Sequence, residues 1–189
     1  MNGTSLHIPT LETERLILRA QRMEDAAYYI DYKATERTEF NGGPINRDKA
    51  AFAFNAIAGQ WILRGYGLFM ATTKIDPDTT IGGFGIFHHM FQDEPEFGWT
   101  IYDGANEGKG YATEAMRTII PWAWDVMGVD TAQSHIDDGN DASVKVARFL
   151  SAQFDAKQTK IANAQGGEFY DEEDSTIVNI WRHRKGALT

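Results

Sequence analysis

The chain has 189 residues, with 18 Lys and Arg against 27 Asp and Glu, and its formal net charge is −9. This length is typical of one domain with a substantial core, and the acidic balance argues against a nucleic-acid-binding protein, which presents clustered positive charge. The chain contains no cysteine, which excludes disulfides, thiolate metal sites and a cysteine nucleophile.

The sequence shows neither the pattern of a secretory signal nor that of a membrane-spanning helix. The first residues lack the charged, apolar and small-residue blocks of a secretory signal. No apolar run approaches the roughly 20 residues that span a bilayer. We therefore predict a cytoplasmic protein that binds neither membrane nor nucleic acid. Residues 1–9 are predicted to form a flexible lead-in, and residues 10–185 a single domain.

Strand and helix patterns alternate along this domain. In chain order they predict a strand at 14–20, helices at 23–32 and 47–63, strands at 66–73, 80–89 and 96–102, a helix at 112–127, a strand at 131–136, a helix at 141–152 and a strand at 176–183. Pro121 lies inside a predicted helix, where it should bend or shorten the helix. The pattern indicates one α+β domain with a mostly antiparallel sheet.

The stretch 106-NEGKGYATEA-115 lies between a predicted strand and a predicted helix. A glycine loop at a helix N-terminus is a general phosphate-binding arrangement, because unpaired amides point at the anion. The nucleotide P-loop pattern fails, since Gly104 and Gly108 are too close and Gly110 follows Lys109 where Ser or Thr belongs. The dinucleotide pattern fails as well, because Thr113 replaces its third glycine. Taken alone, the glycines could equally cap a helix.

Together with its neighbours, this loop resembles the GNAT superfamily of N-acetyltransferases, in the branch of the ribosomal-protein acetyltransferases RimJ and RimL. The resemblance covers nearly the whole chain, in the segments 13–20, 64–74, 81–87, 95–101, 108–115 and 134–152. It implies a GNAT-like α+β fold whose mixed, mostly antiparallel sheet is splayed between two strands and flanked by helices. It also implies direct transfer of an acetyl group from acetyl-CoA to a primary amine. No metal is predicted, because no His residues have helical ligand spacing.

The resemblance implies acetyl-CoA-binding residues in three places. The loop similar to the one that cradles the pyrophosphate comprises Glu107, Gly108, Lys109, Gly110, Tyr111, Ala112 and Thr113. The backbones of Trp99, Thr100 and Ile101 would hold the pantetheine arm, although the Trp99 side chain could equally be a core aromatic. Asn140 and Ser143 match the family's Asn-x-x-Ser below the cofactor, while Asn140 would also serve as a helix cap. Lys145 would reach a phosphate or remain a solvated lysine.

The resemblance also suggests the catalytic groups. Glu96 matches the acidic residue that begins this strand in the branch and is the predicted general base, acting through a water. His135 on the opposing strand, or water alone, is the alternative. Two positions depart from the family pattern: Glu107 stands where arginine or glutamine is usual, and Ala147 stands where many relatives place a tyrosine near the leaving sulfur.

The acceptor is open at this stage. A small-molecule amine is preferred, and a protein N-terminus is the alternative. A catalytically silent acetyl-CoA-binding regulatory module and a nucleotide-dependent transferase are rivals from other classes. The acidic run 171–174 would attract a cationic amine if it faced the cleft, and would otherwise be a solvated face. A homodimer is the commonest assembly, with Phe91 and Trp181 as candidates for its interface.

Overall fold

One mixed β-sheet forms the centre of the molecule. The computed structural model describes residues 7–188, so residues 1–6 of the predicted lead-in lie outside the described part. Within that range the strands are β1 (Leu11–Glu12), β2 (Leu16–Arg19), β3 (Leu68–Thr73), β4 (Thr80–Phe87), β5 (Glu96–Ile101), β6 (Thr131–Asp137), β7 (Gln153–Phe154) and β8 (Val178–Arg184). Their order in the sheet is β1-β2-β3-β4-β5-β6-β8-β7. Each neighbouring pair is antiparallel except β5 with β6, as the α+β prediction required.

Helices cover both faces of this sheet. They are α1 (Asp25–Lys33), α2 (Arg47–Arg64), α3 (Tyr111–Met127), α4 (Asp141–Phe149) and α5 (Ala156–Ala162). Among the described residues, no helix is long and apolar enough to cross a membrane.

Strand β3 shows how the sequence separates the two cores. Its side chains alternate between the faces, as in any strand. Leu68 and Met70 pack with α1 and the first half of α2. Phe69 and Ala71 pack with α3 on the opposite face. Because both faces are covered, the strand is apolar throughout rather than alternating.

The two long helices begin and end within one residue of the predicted bounds. The Asn46 side chain caps α2 by accepting from Lys49 N at 2.9 Å, and Gly65 ends the helix with a φ of 75°. Helix α3 is continuous through Pro121 and ends at Gly128. The predicted shortening of this helix at the proline is therefore wrong.

The last predicted helix is also shorter than expected. It was predicted to reach residue 152, but α4 ends at Phe149 and Ser151 adopts a left-handed φ of 62°. Ala152 N then donates to Ala147 O at 3.0 Å, which closes the helix. After this turn the chain forms the short strand β7 and then α5, two elements that the sequence patterns do not predict.

The sheet opens between its two parallel strands. The register of β5 and β6 has a single pair, Glu96 with Gln133. Beyond it a side chain bridges the strands, because Ser134 Oγ donates to Phe97 O at 2.6 Å. The predicted splayed sheet is confirmed, and the gap lies between β5 and β6.

Candidate active site

Backbone groups of β5 line the gap. Tyr102 N donates to Ile81 O at 2.9 Å, which fixes the hydrogen-bond alternation between β4 and β5. That alternation turns the backbone of Thr100 towards β4 and the backbones of Trp99 and Ile101 towards the gap. Of the three β5 residues predicted to hold pantetheine, two therefore present backbone groups to the opening.

Trp99 connects this strand with the start of α4. Its indole Nε1 donates to Ser143 Oγ at 3.3 Å, and its ring packs against the core. Asn140 caps α4, because its Oδ1 accepts from Ser143 N at 3.1 Å. The predicted residues on β5 and α4 thus lie together on one side of the gap. Lys145 is exposed on the same helix.

The position of the missing tyrosine is filled by packing. Ala147 is fully buried in a cluster with Ile136, Ala152 and Trp181. Trp181 is only 7% exposed, so its predicted place in a dimer interface is wrong. The other candidate, Phe91, is 97% exposed, and its place in an interface stays a prediction. A tyrosine would not fit at position 147 without displacing this cluster, so no phenol is available there.

The glycine loop leads into α3 with unpaired amides. Gly108 and Gly110 adopt left-handed φ values of 69° and 80°, which favour glycine. In the described residues, the amides from Gly108 to Thr113 donate to no backbone carbonyl, and Glu114 N is the first to bond back, to Gly110 O at 3.0 Å. The helix N-terminus is therefore open to an anion, with the positive end of the helix dipole behind it.

An arginine compensates the unusual Glu107. The carboxylate of Glu107 forms an ion pair with Arg37, which lies in a short 3₁₀ turn between α1 and α2. The same guanidinium donates to the carbonyls of Tyr102 and, at 3.2 Å, Ile101. Sequence reasoning missed Arg37, because no local pattern links it to a residue 70 positions away.

Other side chains brace the first turn of α3. Arg15 lies over the ring of Tyr111 at 4.6 Å and pairs with Glu114 at 2.5 Å. Lys109 Nζ donates to Asn106 Oδ1 at 3.2 Å. A cavity of about 390 Å³ lies beside Arg15 and Tyr111.

A larger cavity lies on the other face of the sheet, at the closed end of the gap. Its volume is about 620 Å³, and its lining comprises His89, Phe91, Gln92, Asp93, Glu94, Glu96, Gln133, His135, Gln158, Glu168 and Phe169. Glu96, Gln133 and His135 point to this face because their neighbours Phe97, Ala132 and Ser134 are buried on the opposite side.

Glu96 and His135 form an acid–base pair in this cavity. His135 Nδ1 lies 3.3 Å from Glu96 Oε2, and both side chains are mostly buried. The other ring nitrogen lies 3.2 Å from Gln133 Oε1. Burial lowers the pKa of His135, but the Glu96 hydrogen bond and the charges of Glu96 and Glu168 outweigh it, so the pKa is raised overall. The carboxylate of Glu96 thus favours the protonated form of His135.

Strand β8 carries a buried histidine that contacts the serine bridging β5 and β6. Its His183 is buried, and His183 Nε2 lies 2.9 Å from Ser134 Oγ. The Ser134 hydroxyl itself donates to the carbonyl of Phe97. Burial lowers the pKa of His183 to about 4, so the ring is neutral and donates from Nε2. No group of His, Asp and Glu side chains in residues 7–188 has an arrangement that would hold a metal ion.

Comparisons with known proteins agree with this geometry. The family model for an acetyltransferase (GNAT) domain matches residues 15–152. An uncharacterised N-acetyltransferase of Bacillus licheniformis, p20, is 27% identical over 162 residues, which cover 83% of this chain and 89% of that protein. The acetyltransferase of Agrobacterium tumefaciens has a similar structure, with a TM-score of 0.79 and 29% identity over 98% of this chain and 99% of its own.

The fold is also that of a ribosomal-protein acetyltransferase. RimL, the ribosomal L7/L12 α-N-protein acetyltransferase solved with coenzyme A, matches with a TM-score of 0.72. The match covers 95% of this chain and 99% of RimL at 15% identity, so the likeness is one of fold.

Proposed function

The chain belongs to the GNAT family of acetyltransferases and depends on acetyl-CoA, and from that premise we propose that it acetylates the primary amine of a small molecule with Glu96 and His135 as its acid–base pair. The observation that carries the proposal is the cavity of about 620 Å³, which is lined by this pair and lies at the gap. Small-molecule sites are typically clefts or cavities of roughly 300–1,000 Å³.

The residues that surround the gap fit the donor acetyl-CoA, which supplies the activated acetyl group. The free amides from Gly108 to Thr113 would bind its pyrophosphate. The backbones of Trp99 and Ile101 would pair with its amide-rich arm as an added strand does. Asn140 and Ser143 lie on the same side, where the arm would pass, and Lys145 extends from α4 towards solvent where a phosphate would be accessible.

The acceptor amine must lose a proton before it can attack the acetyl group. Glu96 is the group best suited to receive this proton through a water, because its carboxylate faces the cavity at the end of the gap. His135 holds that carboxylate in place and shares its charge. Acetyl transfer in this arrangement would be direct, because the amine and the acetyl group would meet at the gap, and a cysteine acyl-enzyme is excluded by the absence of cysteine.

Acetyl-CoA binding and turnover test the proposal together. Calorimetric titration should show micromolar binding of acetyl-CoA and much weaker binding of ATP. Gly110→Asp should weaken acetyl-CoA binding, because it places a carboxylate and a strained left-handed residue at the anion site. A matched change at Gly128→Asp, which ends the same helix with a φ of 67°, controls for backbone strain alone.

A panel of acceptors then separates the candidate functions. Thiol release with small amines, but not with peptides, would support the proposal. Acetylation confined to peptide N-termini would instead support the second candidate, a protein acetyltransferase, which the fold shared with RimL favours. Tight acetyl-CoA binding without turnover on either class would identify a catalytically silent module and overturn the proposal.

A further inference from the structure

We propose that the acceptor is an aliphatic diamine or polyamine, whose second ammonium group is held by Glu168 while the first reaches Glu96. This inference rests on the proposed function, since it names the class of amine that the cavity accepts. It is carried by the charges of the cavity wall, the apolar surface beside His135 and the way the wall is anchored.

The lining of the cavity is acidic. It contains Asp93, Glu94, Glu96 and Glu168, and no Lys or Arg among the described residues that form it. Glu94 is neutralised, because Arg182 Nη1 lies 2.6 Å from its Oε2. Glu168 instead accepts from the uncharged amide of Gln92, at 2.8 Å. Among the described residues Glu168 forms no ion pair with Lys or Arg, so its negative charge, which also acts on His135, can attract a bound cation.

Two groups on β6 respond to this negative potential. The pKa of Asp137 is raised by burial and by the charges of Asp174 and Glu96. The charge of Glu168 contributes to the raised pKa of His135. Asp174 of the acidic run thus lies close enough to act on Asp137, which is on the same strand and the same face as His135.

Apolar surface lies beside His135 in the wall of the cavity. Phe169 packs edge-on against His135, with ring centroids 4.8 Å apart. Glu168, Phe169 and Glu96 all line the cavity, so the methylene groups of a bound diamine would have the Phe169 ring to pack against. An amine that ended in a carboxylate would place like charge against Glu168.

The wall that carries Glu168 is held in place. Phe169 N donates to Ala162 O at 2.9 Å, and Asn163 bonds twice to Val178, at 2.9 Å in both directions. Gly167 docks so closely that a Cβ there would lie 2.4 Å from Ala162 O. The segment between α5 and β8 is therefore a positioned wall rather than a free loop.

The test compares acceptors of equal chain length on the intact protein. We expect kcat/KM for putrescine to exceed that for butylamine by about fivefold or more, with γ-aminobutyrate below both, as a partly solvated ion pair allows. Glu168→Gln keeps an oxygen for Gln92 and should reduce the putrescine-to-butylamine ratio about fivefold, mainly through KM, because the second ammonium is remote from the reacting atoms. Added salt should lower the same ratio.

Asp125→Asn is the matched control, because it removes the same charge from α3 on the opposite face and should change neither acceptor. Thermal unfolding of Glu168→Gln verifies that the variant is folded. A ratio that Glu168→Gln leaves unchanged, or a wild-type preference for butylamine, would overturn this inference while small-amine acetylation stands. Acetylation of peptides alone would overturn the proposed function as well.

Discussion

Glu96 owes its predicted role to its position rather than to its charge alone. Its carboxylate lies at the only register pair of β5 and β6 in the described sheet and contacts His135 across it. Replacing Glu96 with Gln should lower kcat/KM about a hundredfold or more, because a positioned general base contributes roughly that much. Acetyl-CoA affinity should remain unchanged in calorimetry.

Glu172→Gln provides the comparison for this variant, since it removes an exposed carboxylate that lies outside the cavity lining. Equal losses in the two variants would show that net charge matters and that Glu96 is not the base.

The raised pKa of His135 makes a prediction about stability. The folded-state pKa lies above the ordinary value of 6.5, so the folded protein holds this proton more tightly than the unfolded chain does. The resulting stabilisation is fully present below about pH 6.5 and is lost as the pH rises through the folded-state pKa. The free energy of unfolding of wild type minus that of His135→Gln should therefore fall between pH 5.5 and 9, measured by urea denaturation. A constant difference would contradict the coupling to Glu96.

His183 predicts the opposite dependence. Its pKa of about 4 lies below the unfolded value of about 6.5, so the unfolded chain binds more protons between these limits. The stability that this residue confers is complete above about pH 6.5 and is lost as the pH falls towards 4, by at most about 3 kcal/mol. His183→Phe should flatten the acid side of the stability profile. An unchanged slope in urea denaturation would show that the neutral buried ring is not the cause.

At the scale of single residues, the sequence indicated the groups that belong to motifs. Asn140, Ser143 and the glycines of the loop could be predicted from their resemblance to family motifs, and Ser143 contacts Trp99 beside the gap. Arg37, Glu168 and His183 could not, because each acts on a partner far away in the chain and no local pattern marks it.

At the scale of elements, the loop before α3 depends on a charge from another element. Arg37 offsets the carboxylate of Glu107 at the point where a pyrophosphate would bind. Arg37→Ala should weaken acetyl-CoA binding about fivefold, because it leaves Glu107 uncompensated. The double variant Arg37→Ala with Glu107→Gln should recover much of that loss, since the two residues are coupled.

This cycle also has a clear negative outcome. If the double variant binds acetyl-CoA as weakly as Arg37→Ala alone, then Arg37 acts by holding the carbonyls of Ile101 and Tyr102 and not by balancing Glu107. Calorimetry at two salt concentrations separates these readings, because only the charge effect is screened.

The elements that could be predicted from the sequence are those long enough to show a periodic pattern of apolar residues. Helices α2 and α3 repeat their apolar positions over several turns, and β3 to β6 each give a strand pattern. Strands β1 and β7 have two residues each, too few for any alternation. Helix α5 is seven residues long and polar, so its sequence resembles a loop.

At the scale of the whole molecule, the proposed sites would place the donor and the acceptor on opposite faces of the sheet. The free amides of α3 and the start of α4 lie on one side of the gap, and the acidic cavity lies on the face of α1 and the segment after α5. The two substrates would therefore approach from different directions and meet only where β5 and β6 part. Sequence reasoning predicted the donor side from its motifs, but the acceptor side is built from loops that are distant in sequence.

The gap also gives β5 an unusual chemical exposure for a strand in the middle of a sheet. Strand β5 lies inside the sheet order, yet the amides of Trp99 and Ile101 have no partner on β6 in the described sheet. They therefore resemble the amides of an edge strand. We expect their hydrogens to exchange with deuterium far faster than those of β3 and β4, which are paired on both sides. Acetyl-CoA should slow that exchange by occupying the open side. The donor would then act as a removable strand, whose presence decides whether this protein has a continuous sheet.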